Sequence, residues 1–154
     1  MTTPDSHELV FTRLIDAPRA AVYRCWTEPE LLKQWFTPRP WTTPVVETDV
    51  RAGGSSYFLF RGPEGEEFPN RGVYLEVVAN EKIVFTDAFS EAWMPSDKAF
   101  MVGIVTFGDE AGRTRYTAKI RHWSAEDLKS HEARGFHDGW SKAADQLEAL
   151  ARTL

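Results

Sequence analysis

Between Trp41 and Trp123 the chain reads as six strand-like segments in a row: Val45–Arg51, Ser55–Arg61, Gly72–Val78, Lys82–Ala88, Ala99–Phe107 and Thr114–Trp123. The breaks are turn chemistry, Ala52-Gly53-Gly54, Gly62-Pro63-Glu64-Gly65, Ala79-Asn80-Glu81 and Gly108-Asp109-Glu110-Ala111-Gly112. Parallel neighbours need crossovers of a dozen residues or more, so most of these short connections dictate an antiparallel meander. In the last segment Arg115, Thr117, Lys119 and Arg121 alternate with Tyr116, Ala118, Ile120 and His122, which gives the sheet one wet face and one covered face. The same alternation points Phe58 and Phe60 inward.

A covered face needs a cover, and the C-terminal third supplies it. Ser124-Ala125-Glu126-Asp127 has the form of a helix start, with a Ser cap and an acid three residues on. At 100° per residue Leu128, Glu132, Phe136, Trp140, Ala143, Leu147, Leu150 and Leu154 fall on or near one stripe. From Phe136 to Arg152 such a helix runs about 25 Å, enough to span a sheet of six-to-eight-residue strands. Gly135 and Gly139 each cost about 1 kcal/mol inside a helix, so a break or kink is expected near Gly135, or a close backbone approach at Gly139. Ahead of the meander, Glu8–Ile15 reads as a strand stopped at Asp16-Ala17-Pro18. Two short helices should follow, one carrying Val22 and Trp26, the other opened by a capping box at Thr27-Glu28-Pro29-Glu30 and carrying Leu31, Leu32 and Trp35.

Composition narrows the function. The 154 residues carry a formal net charge of −5, with no Lys/Arg cluster, which argues against nucleic acid or an anionic membrane as partner. The longest uncharged apolar stretch, roughly Ala99 to Phe107, is about half a membrane-spanning helix. One cysteine, Cys25, excludes an intramolecular disulfide, and MTTPDSHE has neither the basic start nor the apolar run of a signal peptide, so a cytoplasmic location is expected. A single domain over 1–154 is expected, with a flexible terminus over 1–7. Six Trp, ten Phe and four Tyr make 13% of the chain, enough for a thick core or a lined hollow.

The order strand, two short helices, six strands, long helix resembles the α+β helix-grip fold of START-like (SRPBCC) proteins. Arg13 to Arg19 (R-x-I-D-A-P-R), Trp26 to Phe36 (W-T-E-P-E-x-L-x-x-W-F), Asp49 to Gly54 (D-V-R-x-G-G), Arg61 to Gly65, Gly72 to Val78 and Gly139-Trp140 are similar to the bacterial family named for its homology to the activator of the heat-shock chaperone ATPase. The resemblance covers nearly the whole chain. It implies a curved antiparallel sheet wrapped around the last helix and enclosing a cavity. It also implies two kinds of function: binding of lipids, sterols or other apolar molecules in that cavity, as in wider relatives, or contact with a chaperone, as in the eukaryotic co-chaperone that gave the family its name. A few relatives are cyclases, aromatases or hydrolases.

The chemical motifs favour binding. G-x-S-x-G, Walker A, G-x-G-x-x-G and paired C-x-x-C are all missing from the sequence. His131-Glu132 begins like H-E-x-x-H, but position 135 is Gly, and His137 falls about 240° round a helix from His131. No metal or cofactor is therefore expected, and both histidines read as solvent-facing. The aromatic residues expected around a ligand between sheet and C-terminal helix are Trp35, Phe58, Phe60, Tyr74, Phe85, Tyr116, Phe136 and Trp140. Candidate polar groups of the cavity are Arg13, Glu76, Glu132 and His122, each with a structural alternative. Arg13 and Glu76 would otherwise be halves of ion pairs, His122 a hydrogen-bonded core histidine, and a break at Gly135 would return Glu132 to water. Phe89 to Phe100, with Trp93-Met94-Pro95, reads as a lid or as a loop pinned by Trp93. The expected function is an apolar or aromatic small-molecule carrier with its hollow beside Trp140. The alternatives are a chaperone-contacting stress-related module, or a cofactor-free enzyme using Glu132, Arg13 or Tyr116; a homodimer partner also stays open.

Overall fold

The structure, a computed structural model, describes residues 7–97 and 99–154. Most of the terminus expected to be flexible lies outside the described residues. His7 is held, its carbonyl accepting the His122 amide at 2.8 Å.

Nine strands and four helices follow one another in these residues: β1 Glu8–Ile15, α1 Arg19–Thr27, α2 Pro29–Trp35, β2 Thr42–Thr48, β3 Ser55–Arg61, β4 Glu67–Val78, β5 Lys82–Thr86, β6 Phe89–Glu91, β7 Met94–Pro95, β8 Met101–Glu110, β9 Arg113–His122, α3 Ala125–Ala133 and α4 Phe136–Ala151. Seven strands form one antiparallel sheet in the order β1-β9-β8-β5-β4-β3-β2, and β6 and β7 form a small separate hairpin. The meander is as expected, and β1 closes it by pairing with the last strand, Glu8 opposite Arg121 and Ile15 opposite Thr114. β4 starts five residues before the expected Gly72, because Glu67–Arg71 continue the pairing with β3. Pro69 is tolerated there because the pairing of β4 with β5 begins only at Val73, leaving that stretch an open edge.

The inner face follows the alternation. Thr114, Tyr116, Ala118, Ile120 and His122 are buried on β9, and Gly103, Val105 and Phe107 on β8. Against them pack Val22, Cys25 and Trp26 of α1, Leu32 and Trp35 of α2, and Ala143, Ala144, Leu147 and Ala151 of α4. The helical stripe breaks where glycine permits it. Gly135 has φ +90°, a conformation L-residues avoid, and separates α3 from α4. Ser124 caps α3, its hydroxyl accepting the Asp127 amide at 3.1 Å. The capping box expected at Thr27 does not form. Glu28 is the N-cap of α2 without a side-chain bond, Pro29 occupies the first turn, and Thr27 Oγ1 donates to the Tyr23 carbonyl.

Three of the four candidate cavity charges are structural or exposed. Arg13 donates to Asp145 and to Glu148 Oε1 (2.6 Å), tying β1 to α4. Glu148 also accepts the Asp16 amide at 2.7 Å. In a regular strand Glu76 would share the face of Tyr74 two residues earlier, but a bulge between them inserts one position and turns Glu76 outward to Lys82 (3.1 Å). Glu132 lies in water 4.0 Å from His137, because the break at Gly135 resets the helical phase.

Candidate functional site

Where α4 lies on the sheet the interior is filled. Trp140 stacks on Trp26 (6.3 Å, 22°) and contacts Phe11, Tyr116 and Phe136. Trp26 Nε1 donates to the buried Tyr116 hydroxyl at 3.1 Å, and Trp35 Nε1 donates to the Cys25 carbonyl at 2.9 Å. Phe136 joins Leu9 and Ile120 in a second small core. Burial pushes the Tyr74 and Tyr116 phenols and the Cys25 thiol (to about 11) upward, so all three stay protonated near neutrality and Cys25 is no thiolate nucleophile. Four expected cavity residues, Trp35, Tyr116, Phe136 and Trp140, thus belong to the solid part of the core. The hollow is not beside Trp140.

The cavity opens beside the C-terminal end of α3, with Trp26 as part of its wall. Half-open and about 650 Å³ in volume, it is bordered by β3, β4, β5, the start of β8 and the residues Ser96, Asp97 and Phe100 ahead of it. Phe58, Phe60, Tyr74 and Phe85, from the set named above, line it together with Trp26 and Phe36. Phe36 stacks on Phe58 at 4.6 Å and meets Phe60 at 6.0 Å, while Phe85 lies 5.9 Å from Trp26. These rings make a continuous apolar wall, and the Gly103–Phe85 pair explains its contour. A Cβ at Gly103 would sit 2.4 Å from Cζ of Phe85, so only glycine lets that ring lie flat over β8.

Polar groups gather at the mouth. Asp87 Oδ1 accepts the amides of Phe100 (2.9 Å) and Met101 (3.1 Å), and Ser96 Oγ donates to the Asp87 carbonyl at 2.7 Å, which fixes the return of the segment. The opening lies among the exposed residues Asn70, Asp97 and Arg134. The β6–β7 hairpin carries Trp93 and Met94, 61% and 59% exposed, with Phe89 edge-on to Trp93, and it lies outside the cavity wall. Of the Phe89–Phe100 segment expected as a lid or a pinned loop, the hairpin contributes no lining residue, whereas Ser96, Asp97 and Phe100 border the cavity.

On α3 the cavity meets His131 and, at the helix end, Arg134. The sequence reading placed His131 in solvent. Instead its Nδ1 lies 2.8 Å from Nε2 of the buried His122, whose Nδ1 is 3.0 Å from the His7 carbonyl. Phe100 packs against both imidazoles, and the Arg134 guanidinium sits 5.4 Å over its ring. Burial, with His122 and Arg134 adding to it, pushes His131 down to about 4, so it is neutral at physiological pH. A capping Ser124 seven residues earlier sets the phase that brings His131 to the sheet. That signal was in the sequence but was overruled by the stripe through Phe136. Among the described residues no group of three or more His, Cys, Asp or Glu side chains could hold a metal ion. No helix among the described residues is long and apolar enough to cross a membrane.

An α+β sheet curled round a C-terminal helix, with a cavity left under one end, defines a helix-grip domain. Residues 16–152 match the model of the family described as "Activator of Hsp90 ATPase homolog 1-like protein", and the chain belongs to that family. A protein from Nitrosomonas europaea shares 36% identity and a TM-score of 0.94, the alignment covering 98% of this chain and 97% of that one. A Mycobacterium smegmatis protein is 27% identical, with TM-score 0.81 and coverages of 97% and 93%. An AHSA1-like protein from Aeromonas hydrophila, 18% identical with TM-score 0.73 and coverages of 95% and 92%, shares the fold. No protein of curated function matches the chain.

Proposed function

We propose that this domain binds an apolar or aromatic small molecule in the cavity beside the C-terminal end of α3. The observation that carries the proposal is the volume of about 650 Å³ with one wall of Trp26, Phe36, Phe58, Phe60, Tyr74 and Phe85, faced by polar and charged groups that include Arg71, Asp87, His131 and Arg134. Small-molecule sites typically have that size and that division of labour. Burying about 200 Å² of ligand apolar surface gives on the order of 5 kcal/mol of gross driving force, so useful affinity requires a polar anchor as well. Phe58, Phe60, Tyr74 and Phe85 are the proposed contact residues. Trp35, Tyr116 and Trp140 support them from behind through Trp26.

The test is a thermal-shift and native mass-spectrometry screen of fused-ring and acyl compounds, repeated on Met101→Trp, which fills the cavity, and Phe58→Ala, which enlarges it. Binding that Met101→Trp abolishes and Phe58→Ala weakens supports the carrier reading. If no apolar compound binds, and wild type and Met101→Trp enrich a chaperone equally from lysate, the surface-docking reading replaces it.

A further inference from the structure

The polar anchor can be assigned a hydrogen-bonding sense, because a backbone carbonyl fixes one end of the histidine pair. The His7 carbonyl only accepts, so Nδ1 of His122, 3.0 Å away, carries a proton. An imidazole whose single proton is on Nδ1 holds its lone pair on Nε2. The 2.8 Å contact to His131 Nδ1 requires a proton between the two nitrogens, and it must come from His131. His131, neutral itself, is thereby left with a bare lone pair on Nε2. That nitrogen has no partner among the described residues, and its ring lines the cavity. Three residues along, Arg134 spends one N–H on Ser130 Oγ (2.9 Å) and keeps its remaining donors at the same rim, with Phe100 packed against both side chains.

An acceptor beside a cluster of donors fits one simple functional group. We propose that the cavity selects a hydroxylated apolar molecule, a phenol or a ring alcohol, whose O–H donates to His131 Nε2 and whose oxygen accepts from Arg134. An ether or ketone would satisfy Arg134 but leave His131 facing a second acceptor. An alkylammonium would satisfy His131 but set a cation with no acceptor against the guanidinium. A carboxylate would pair with Arg134 while opposing the His131 lone pair. Nothing in this arrangement requires the hydroxyl proton to transfer; the site recognises it.

This inference rests on the carrier reading, and the experiment separates the two. At pH 7.5 the wild-type chain is titrated with naphthalene, 2-methoxynaphthalene, 2-naphthol and naphthalene-2-carboxylate, followed by tryptophan fluorescence and calorimetry. The expected result is 2-naphthol binding about tenfold tighter than 2-methoxynaphthalene, the size of one good hydrogen bond, with that preference lost in His131→Phe. Nitrogen-15 spectra of the histidines supply an independent readout: Nε2 of His131 should resonate as a pyridine-type nitrogen and Nδ1 as a pyrrole-type one. Naphthalene binding without a naphthol preference overturns the hydroxyl assignment and leaves the carrier reading standing, as does a carboxylate that binds tighter than the naphthol. A protonated Nε2 on His131 overturns the assignment outright. Failure of all four compounds to bind defeats the carrier reading and this inference with it.

Discussion

Replacing Gly103 by alanine adds a single methyl at the point where β8 passes under Phe85. That Cβ would stand 2.4, 2.7 and 2.9 Å from Cζ, Cε2 and Cε1 of the ring, against an ordinary contact of 3.4–4 Å, so Phe85 must move about 1 Å off the strand and into the cavity. Overpacking of this kind costs about 1–3 kcal/mol, and the backbone entropy gained on removing a strand glycine returns about 0.5–1 kcal/mol of it. The net loss should be about 1–2 kcal/mol, or about 2–8 °C in Tm for a chain of this length. Gly108 provides the control on the same strand. It faces the other side, and its added Cβ would meet Arg115 Cβ at 3.6 Å, an ordinary contact, so Gly108→Ala should be neutral or slightly stabilising. Differential scanning calorimetry reads both variants. A Gly103→Ala protein as stable as Gly108→Ala would refute the argument that glycine is there to admit the Phe85 ring.

Other expectations follow from individual bonds. Trp26→Phe removes the indole donor to the buried Tyr116 hydroxyl and part of a packed ring, and should lower stability by about 2–3 kcal/mol in urea unfolding. Burial alone would raise the Glu148 carboxyl, but the Asp16 amide and Arg13 outweigh it and hold it below its usual range. Its contribution is therefore present above the unfolded carboxylate pKa and lost as pH falls through the lower folded value. Glu148→Gln should cost about 1–2 kcal/mol at pH 7, with the gap to wild type closing under strongly acidic conditions in denaturant melts. His131 has the opposite ionisation: its folded pKa of about 4 lies below the free value of 6.5, so unfolded chains bind the extra proton between those limits. Wild type should lose stability progressively as pH falls from 6.5 towards 4, and His131→Phe should show a flatter profile over that window.

How far the sequence carried this description depends on which signals were local. Alternation along Thr114–His122 and the strand-turn rhythm sufficed for the sheet and its inner face, since period-two patterning needs no knowledge of partners. Glu76 was misplaced because a bulge inverts parity without any residue type that announces it. Glu132 stands in water, the outcome expected of a break at Gly135, whereas His131 was expected in solvent and packs beside His122 instead. The φ of +90° at Gly135 ends one helix and begins another in a new phase, so the facing of α3 is not obtained by continuing the stripe of α4 back through the glycine. Trp140 has the size and position of a cavity wall, but its stacking on Trp26, more than a hundred residues away in sequence, is a long-range packing outcome that no spacing rule contains. Phe36 went unrecognised for the same reason, since it lies just past a short helix and reaches the site only through its stack on Phe58.

The central claim, an accessible apolar hollow at the C-terminal end of α3 rather than beside Trp140, can be read from two methionines. Met101 lines the cavity and Met94 is 59% exposed on the outer hairpin, so methyl-labelled methionine gives one probe inside and one outside. Titration with 2-naphthol should shift the Met101 methyl and give ligand-to-methyl cross-relaxation there, with Met94 unmoved. Saturating ligand that leaves the Met101 methyl where it was, or that perturbs Met94 alone, would contradict the account.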